Sequence, residues 1–74
     1  MLKINKIASS PTKERITKIL IVYFRGSKVN VDFDNPIKID GSRRDFFNVY
    51  TGKGKTSLIV WYQNKRYYAG YLRD

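Results

Sequence analysis

The chain has neither cysteine nor histidine. The first absence rules out disulfides and thiolate metal sites; the second removes the commonest metal ligand and the commonest general base. Glutamate occurs once, at Glu14, and the other acids are Asp32, Asp34, Asp40, Asp45 and Asp74. A catalytic centre would have to be built from aspartates alone, which argues against an enzyme and against a bound cofactor. No apolar run approaches the ~20 residues of a membrane helix; the longest spans residues 19–24. The N-terminal MLKINKIASS lacks the apolar stretch of a secretory signal. The expectation is a soluble, intracellular (cytoplasmic) protein with no membrane partner. No Gly/Ser linker divides the 74 residues, so they form a single domain near the lower size limit for a self-sufficient core.

What the chain has instead is cations and aromatic rings. Fifteen Lys and Arg against six acids give a net charge of +9 and a pI near 10.1. Both terminal segments are basic, whereas the middle segment, residues 29–50, is close to neutral. Residues 51–74, TGKGKTSLIVWYQNKRYYAGYLRD, mix Trp61, Tyr62, Tyr67, Tyr68 and Tyr71 with Lys53, Lys55, Lys65, Arg66 and Arg73. Flat rings stack on bases and cations neutralise phosphates, so this mixture points to a nucleic-acid partner. Equally, rings can form the core of a small β domain and charges its solvated rim.

Residues 16–24 are a β-branched and aromatic run, separated by Arg25-Gly26-Ser27-Lys28 from a second run at 29–33. With Gly26-Ser27 as a type II′ turn, the two runs form a hairpin with one apolar face, Leu20, Val22 and Phe24 against Val29, Val31 and Phe33. Asp34-Asn35-Pro36 is a turn, and residues 37–40 alternate as a short strand. Ser42 and Asp45 have the spacing of a helix N-cap, giving a short helical turn near 42–50. A flexible Gly52-Lys53-Gly54-Lys55 loop leads into strands 56–63 and 66–72. With Asn64-Lys65 as their turn, Leu58 faces Tyr71, Val60 faces Ala69 and Tyr62 faces Tyr67, while Trp61 faces Tyr68 and Gln63 faces Arg66. Leu2, Ile4 and Lys6 alternate as an N-terminal strand, followed by a polar loop over 9–15. The fold class is all-β or mainly β: five or six short strands in a strongly curved antiparallel sheet, or an SH3-like or OB-like barrel.

The Leu58/Val60/Ala69 face suits tight packing, which puts Trp61, Tyr68 and Arg66 on the outer face as a stacking platform; the alternative is Trp61 as a core anchor. Lys53 and Lys55, spaced by glycines, offer a backbone clamp for phosphate, although the spacing is not that of a P-loop. Lys65 sits in the hairpin turn. Arg43 and Arg44 can contact phosphates or pair with Asp40 and Asp45. Arg25 and Lys28 flank the first turn, where like charges tolerate each other best beside an anion, and Tyr23 adds a ring. Lys13, Arg15 and Lys18 form a basic arm in the 9–18 loop. Asp32 and Asp34 share a strand face and balance neighbouring cations; no metal site is expected.

In size, charge and strand content the chain resembles small basic β-barrel chromatin proteins of archaea and small DNA-binding proteins of phages and mobile elements. The aromatic-basic hairpin ending in Ala69-Gly70-Tyr71 is loosely similar to the arm-binding sheets of tyrosine integrases, without the helix that follows those sheets. The resemblance implies DNA ahead of RNA as partner. The expected function is non-enzymatic nucleic-acid binding, mainly electrostatic and of low sequence specificity, by a monomer or homodimer. The alternative is a viral or mobile-element module that docks on an acidic host protein surface.

Overall fold

The computed structural model describes residues 3–39 and 41–73. Leu2 and Asp40, both assigned above to strands, and the terminal Asp74 lie outside the described residues. In chain order the elements are β1 (Lys3–Ser10), α1 (Lys13–Tyr23), β2 (Val29–Val31), β3 (Phe46–Thr51), β4 (Gly54–Gln63) and β5 (Arg66–Arg73). The strands form one antiparallel sheet in the order β1-β5-β4-β3-β2. The fold is mainly β, as expected, and the sheet is open, with β1 and β2 as its edges. β2 to β5 form a meander. β1 docks beside β5, so the chain must cross the whole sheet to begin β2.

That crossing explains the largest correction to the sequence reading: residues 16–24 are not a hairpin strand but most of α1. Four inter-strand spacings place the two edges about 19 Å apart, and an 11-residue helix spans about 16 Å. The start signal lies in the segment expected to be a polar loop. Thr12 is the N-cap, extended in conformation, and its Oγ1 accepts the Arg15 N–H at 3.1 Å. Glu14 in the first turn favours the helix dipole. Ile16 and Leu20, four residues apart, point at the sheet and are fully buried. Val22, placed on the core face by a strand reading, is 76% exposed.

The residues taken for a type II′ turn are the C-terminal cap of α1. Arg25 N–H donates to the Val22 carbonyl and Gly26 N–H to the Ile21 carbonyl, with Arg25 at φ 60° and Gly26 at φ 81°. This bonding pattern is a Schellman motif, and its left-handed backbone favours glycine for the same reason a hairpin turn does. Lys13, Arg15 and Lys18, read as a basic arm of the 9–18 loop, therefore lie on a helix.

Two further assignments change. Residues 46–51, expected in part as a helical turn, are strand β3, and residues 37–39 hold only a single bridge, between Ile37 and Phe46. The C-terminal hairpin, by contrast, has the register read from the sequence at every pair from Leu58↔Tyr71 to Gln63↔Arg66. Its two turn residues, Asn64 and Lys65, have φ 53° and 61°, the conformation a type I′ turn requires.

The sheet buries both faces. Under α1 lie Val31, Phe47, Val49, Leu58, Val60 and Ala69 with Ile16 and Leu20. On the opposite face Phe46, Ile59 and Trp61 are covered by Ile4, Ile37, Ile39 and Tyr68. The segment that supplies Ile37 and Ile39 is clipped down by Lys38, whose Nζ donates to the Arg43 carbonyl at 3.0 Å and pairs with Asp45 at 2.6 Å. At Gly70 a Cβ would run into the Asn5 carbonyl, so the closeness of β1 to β5 requires glycine there.

Candidate functional site

The residues nominated from sequence separate into three groups. The first gathers at the end of the sheet where α1 finishes and β3 turns into β4. Because β2 pairs with β3 from Val29↔Thr51 onwards, the α1–β2 connection is brought against the β3–β4 turn. Phe24, Ser27, Lys28, Thr51, Gly52 and Lys53 line a single cleft of about 480 Å³. Lys28 and Lys53, far apart in sequence, thus share one cavity with Ser27, Thr51 and Gly52. Arg25 and Lys55, both exposed, lie within two residues of the lining in sequence. Tyr23 is 45% exposed and packs edge-on against Phe24 at 5.2 Å, so its ring is held while its outer surface stays open.

The Gly52-Lys53-Gly54-Lys55 stretch is not the flexible loop expected from its glycines. Gly52 and Lys53 alone form the turn, Thr51 pairs with Gly54, and Lys55 already lies in β4 opposite Tyr50. Lys53 N–H donates to Thr51 Oγ1 at 3.2 Å, which helps fix the turn. A two-residue turn for Lys53 and a strand position for Lys55 define where the backbone presents each lysine and save ordering entropy that a long loop would lose on binding.

The second group lies at the opposite end of the ten-residue β4. Lys65 and Arg66 are exposed at the β4–β5 turn. Arg66 donates to Ser9 Oγ at 3.3 Å and Arg44 to Gln63 Oε1 at 3.4 Å, with the Arg44 guanidinium 6.0 Å from the Phe46 ring centroid. Arg43 is exposed. The pairing expected between these arginines and Asp45 does not form, since Asp45 is held by Lys38; Asp40 lies outside the described residues. Arg44 and Arg66 are thus tied to the protein's own surface.

The third group is internal. Trp61, placed on an exposed face by sheet alternation, is only 4% exposed. Alternation correctly puts it on the face away from α1, but the segment bearing Ile37 and Ile39 closes over that face. Tyr68 is half-buried and stacks on Trp61 at 5.6 Å with 17° between the planes, while Lys6 Nζ sits 5.3 Å from the Tyr68 centroid. Both rings are already engaged, and the Trp61/Tyr68 platform is not available in the form expected. Asp32 and Asp34 do not share a strand face either. Both follow β2, and the Asp32 carboxylate accepts from Asn35 Nδ2 at 3.1 Å.

Sequence reasoning missed Phe24, Ser27 and Thr51 as cleft residues. It also missed a groove of about 460 Å³ between α1 and β2, walled by Lys13, Glu14, Thr17 and Lys18 and floored by Val29, Val31 and Phe33. Neither feature leaves a local signal, because each depends on which strand lies beside which. No helix among the described residues is long and apolar enough to cross a membrane. Comparison with protein-family models, with curated proteins and with solved structures finds no match to this chain.

Proposed function

We propose that this protein is a non-enzymatic nucleic-acid-binding module that holds the phosphate backbone in the cleft between the α1–β2 connection and the β3–β4 turn. The observation that carries the reading is the convergence of Lys28 and Lys53 on one cavity with Ser27 and Thr51, with the exposed Arg25 and Lys55 within two residues of that lining in sequence. Cations and hydroxyls together match phosphate oxygens, and such contacts position a strand without reading its sequence. In this reading Tyr23, and not Trp61, supplies the stacking ring, because it is the exposed aromatic residue nearest the cleft in sequence. Counterion release from the four cations supplies most of the affinity.

Four phosphate contacts give a plot of log Kobs against log[salt] with a slope of about −3.6 on duplex DNA. Fluorescence anisotropy with labelled duplex and single-stranded oligonucleotides measures it. Lys28→Ala and Lys53→Ala should each reduce the slope by about 1, and Lys65→Ala at the far end should change it less. No binding to DNA or RNA at ~50 mM salt, where backbone contacts dominate, would sink the proposal.

A second reading rests on a different surface. The outward side of α1 exposes Ile19, Val22 and Tyr23 beside Arg15 and Lys18. Apolar anchors bordered by cations fit an acidic protein surface. Capture of one acidic partner that survives nuclease treatment and is lost in Val22→Asp would favour this reading over the first.

A further inference from the structure

The two edges of the sheet differ in how they are protected. β1 has a register shift between Lys6 and Ala8 and carries Lys3 and Lys6, two devices that discourage strand addition. β2 has neither: it is Val-Asn-Val, paired on one side with β3 and on the other with no strand among the described residues. Asp32 N–H donates to the Asn48 carbonyl at 2.9 Å, so alternate residues, Asn30 and Asp32, bond toward β3. The peptide groups of Val29 and Val31 therefore face outward.

The sequence across this edge, Lys28-Val29-Asn30-Val31-Asp32, is self-complementary when read against itself antiparallel. With Asn30 opposite Asn30 of a second copy, Val29 faces Val31 and Lys28 faces Asp32, each pair occurring twice. We propose that β2 pairs with β2 of a second copy of this chain in that register, forming a two-fold dimer with one continuous ten-stranded sheet.

Three observations support a second copy as the occupant. The first is the charge complementarity of Lys28 and Asp32, with the Asp32 carboxylate already oriented by Asn35. The second is the match of bonding groups: Val29 and Val31 are the pair that would exchange N–H···O bonds in this register. The Val31 carbonyl accepts from Phe33 N–H at 3.0 Å, and its second lone pair is the one the other copy would use. The third is the α1–β2 groove beside the edge, whose helical wall carries Glu14 together with Lys13 and Lys18. A two-fold axis turns such a wall antiparallel to its copy, so that Glu14 of each copy meets a wall that carries Lys13 and Lys18. The interface is small and belongs to the weak, concentration-dependent class. It does not rest on nucleic-acid binding, but because Lys28 also lines the phosphate cleft, phosphate and Asp32 of the second copy compete for it.

The test is analytical ultracentrifugation without nucleic acid, from low-micromolar to near-millimolar protein. The wild-type chain should pass from monomer to dimer over that range. Lys28→Glu and Asp32→Lys each set like charges opposite one another twice per dimer and should weaken association by about tenfold or more. Mixing the two variants makes both pairs complementary again and should restore association as a heterodimer. Val29→Pro, which removes an outward N–H and leaves the β3 bonds of Asn30 intact, should abolish the dimer while circular dichroism shows retained structure. A wild-type chain that stays monomeric throughout overturns the proposal. So does a dimer that survives both charge reversals, or a pair of variants that fails to associate on mixing.

Discussion

Two stretches of this chain look alike on paper, and only one becomes a hairpin. Residues 16–33 and 56–72 are both rich in β-branched and aromatic residues, and both are interrupted by a short polar turn. The second forms the expected register pair for pair. The first becomes a helix, a Schellman cap and a three-residue edge strand. What separates them is what the flanking chain requires. β4 and β5 are neighbours in the sheet, so a tight turn suffices. β1 and β2 lie at opposite edges, and the residues between them must cross the sheet and cover its apolar face.

The sharpest way to break this comparison is to mutate two positions that a strand would place on the same face. Leu20→Ala should cost about 2–5 kcal/mol in urea unfolding, because Leu20 is fully buried beneath the helix. Val22→Ala should fall within about 0.5 kcal/mol, because Val22 is exposed. Comparable losses at both positions would mean that residues 16–24 form a strand. A smaller effect is expected at the helix start, where Thr12→Ala removes the N-cap acceptor for Arg15 N–H and should cost about 1 kcal/mol. The same substitution in a loop would cost almost nothing. An effect of opposite sign lies in the other stretch. Lys65 has φ 61° in the β4–β5 turn, so Lys65→Gly should gain up to about 1 kcal/mol, seen as a higher urea midpoint with an unchanged m-value.

The legible parts of the fold were those governed by local rules. Strand alternation about Asn64-Lys65 sorted Leu58, Val60 and Ala69 from Ile59 and Trp61 correctly, because a two-residue turn fixes register and register fixes faces. The helix was harder to read because Ile, Val and Tyr are poor helix formers, and their weak preferences yield to tertiary packing. Its signals were nevertheless present: Thr12 as cap, Glu14 in the first turn, and Ile16 and Leu20 four residues apart. Gly26 could not decide the matter, since a helix cap and a hairpin turn make the same demand for positive φ.

The candidate site was legible as a set of residues and not as a place. Tyr23, Arg25, Lys28, Lys53 and Lys55 were all nominated, but their convergence at one end of the sheet follows from the pairing of β2 with β3. Trp61 was assigned to the right side of β4, with its environment left open between contact face and core anchor, and the core alternative is the one that holds. Alternation tells which way a side chain points and does not tell what will cover it. Residues 37–39, whose own backbone makes a single bridge, supplied the cover.

By itself, then, the sequence determined a basic chain without cysteine or histidine, a mainly β fold, and the complete register of its C-terminal hairpin. These follow from composition and from interactions between residues close in the chain. Tertiary structure decided that residues 13–23 are helical, that Trp61 is buried, and that Lys28 and Lys53 share a cleft. Each of these depends on which strands are neighbours. Strand order is a property of the whole packed sheet, set by how both of its apolar faces are covered at once.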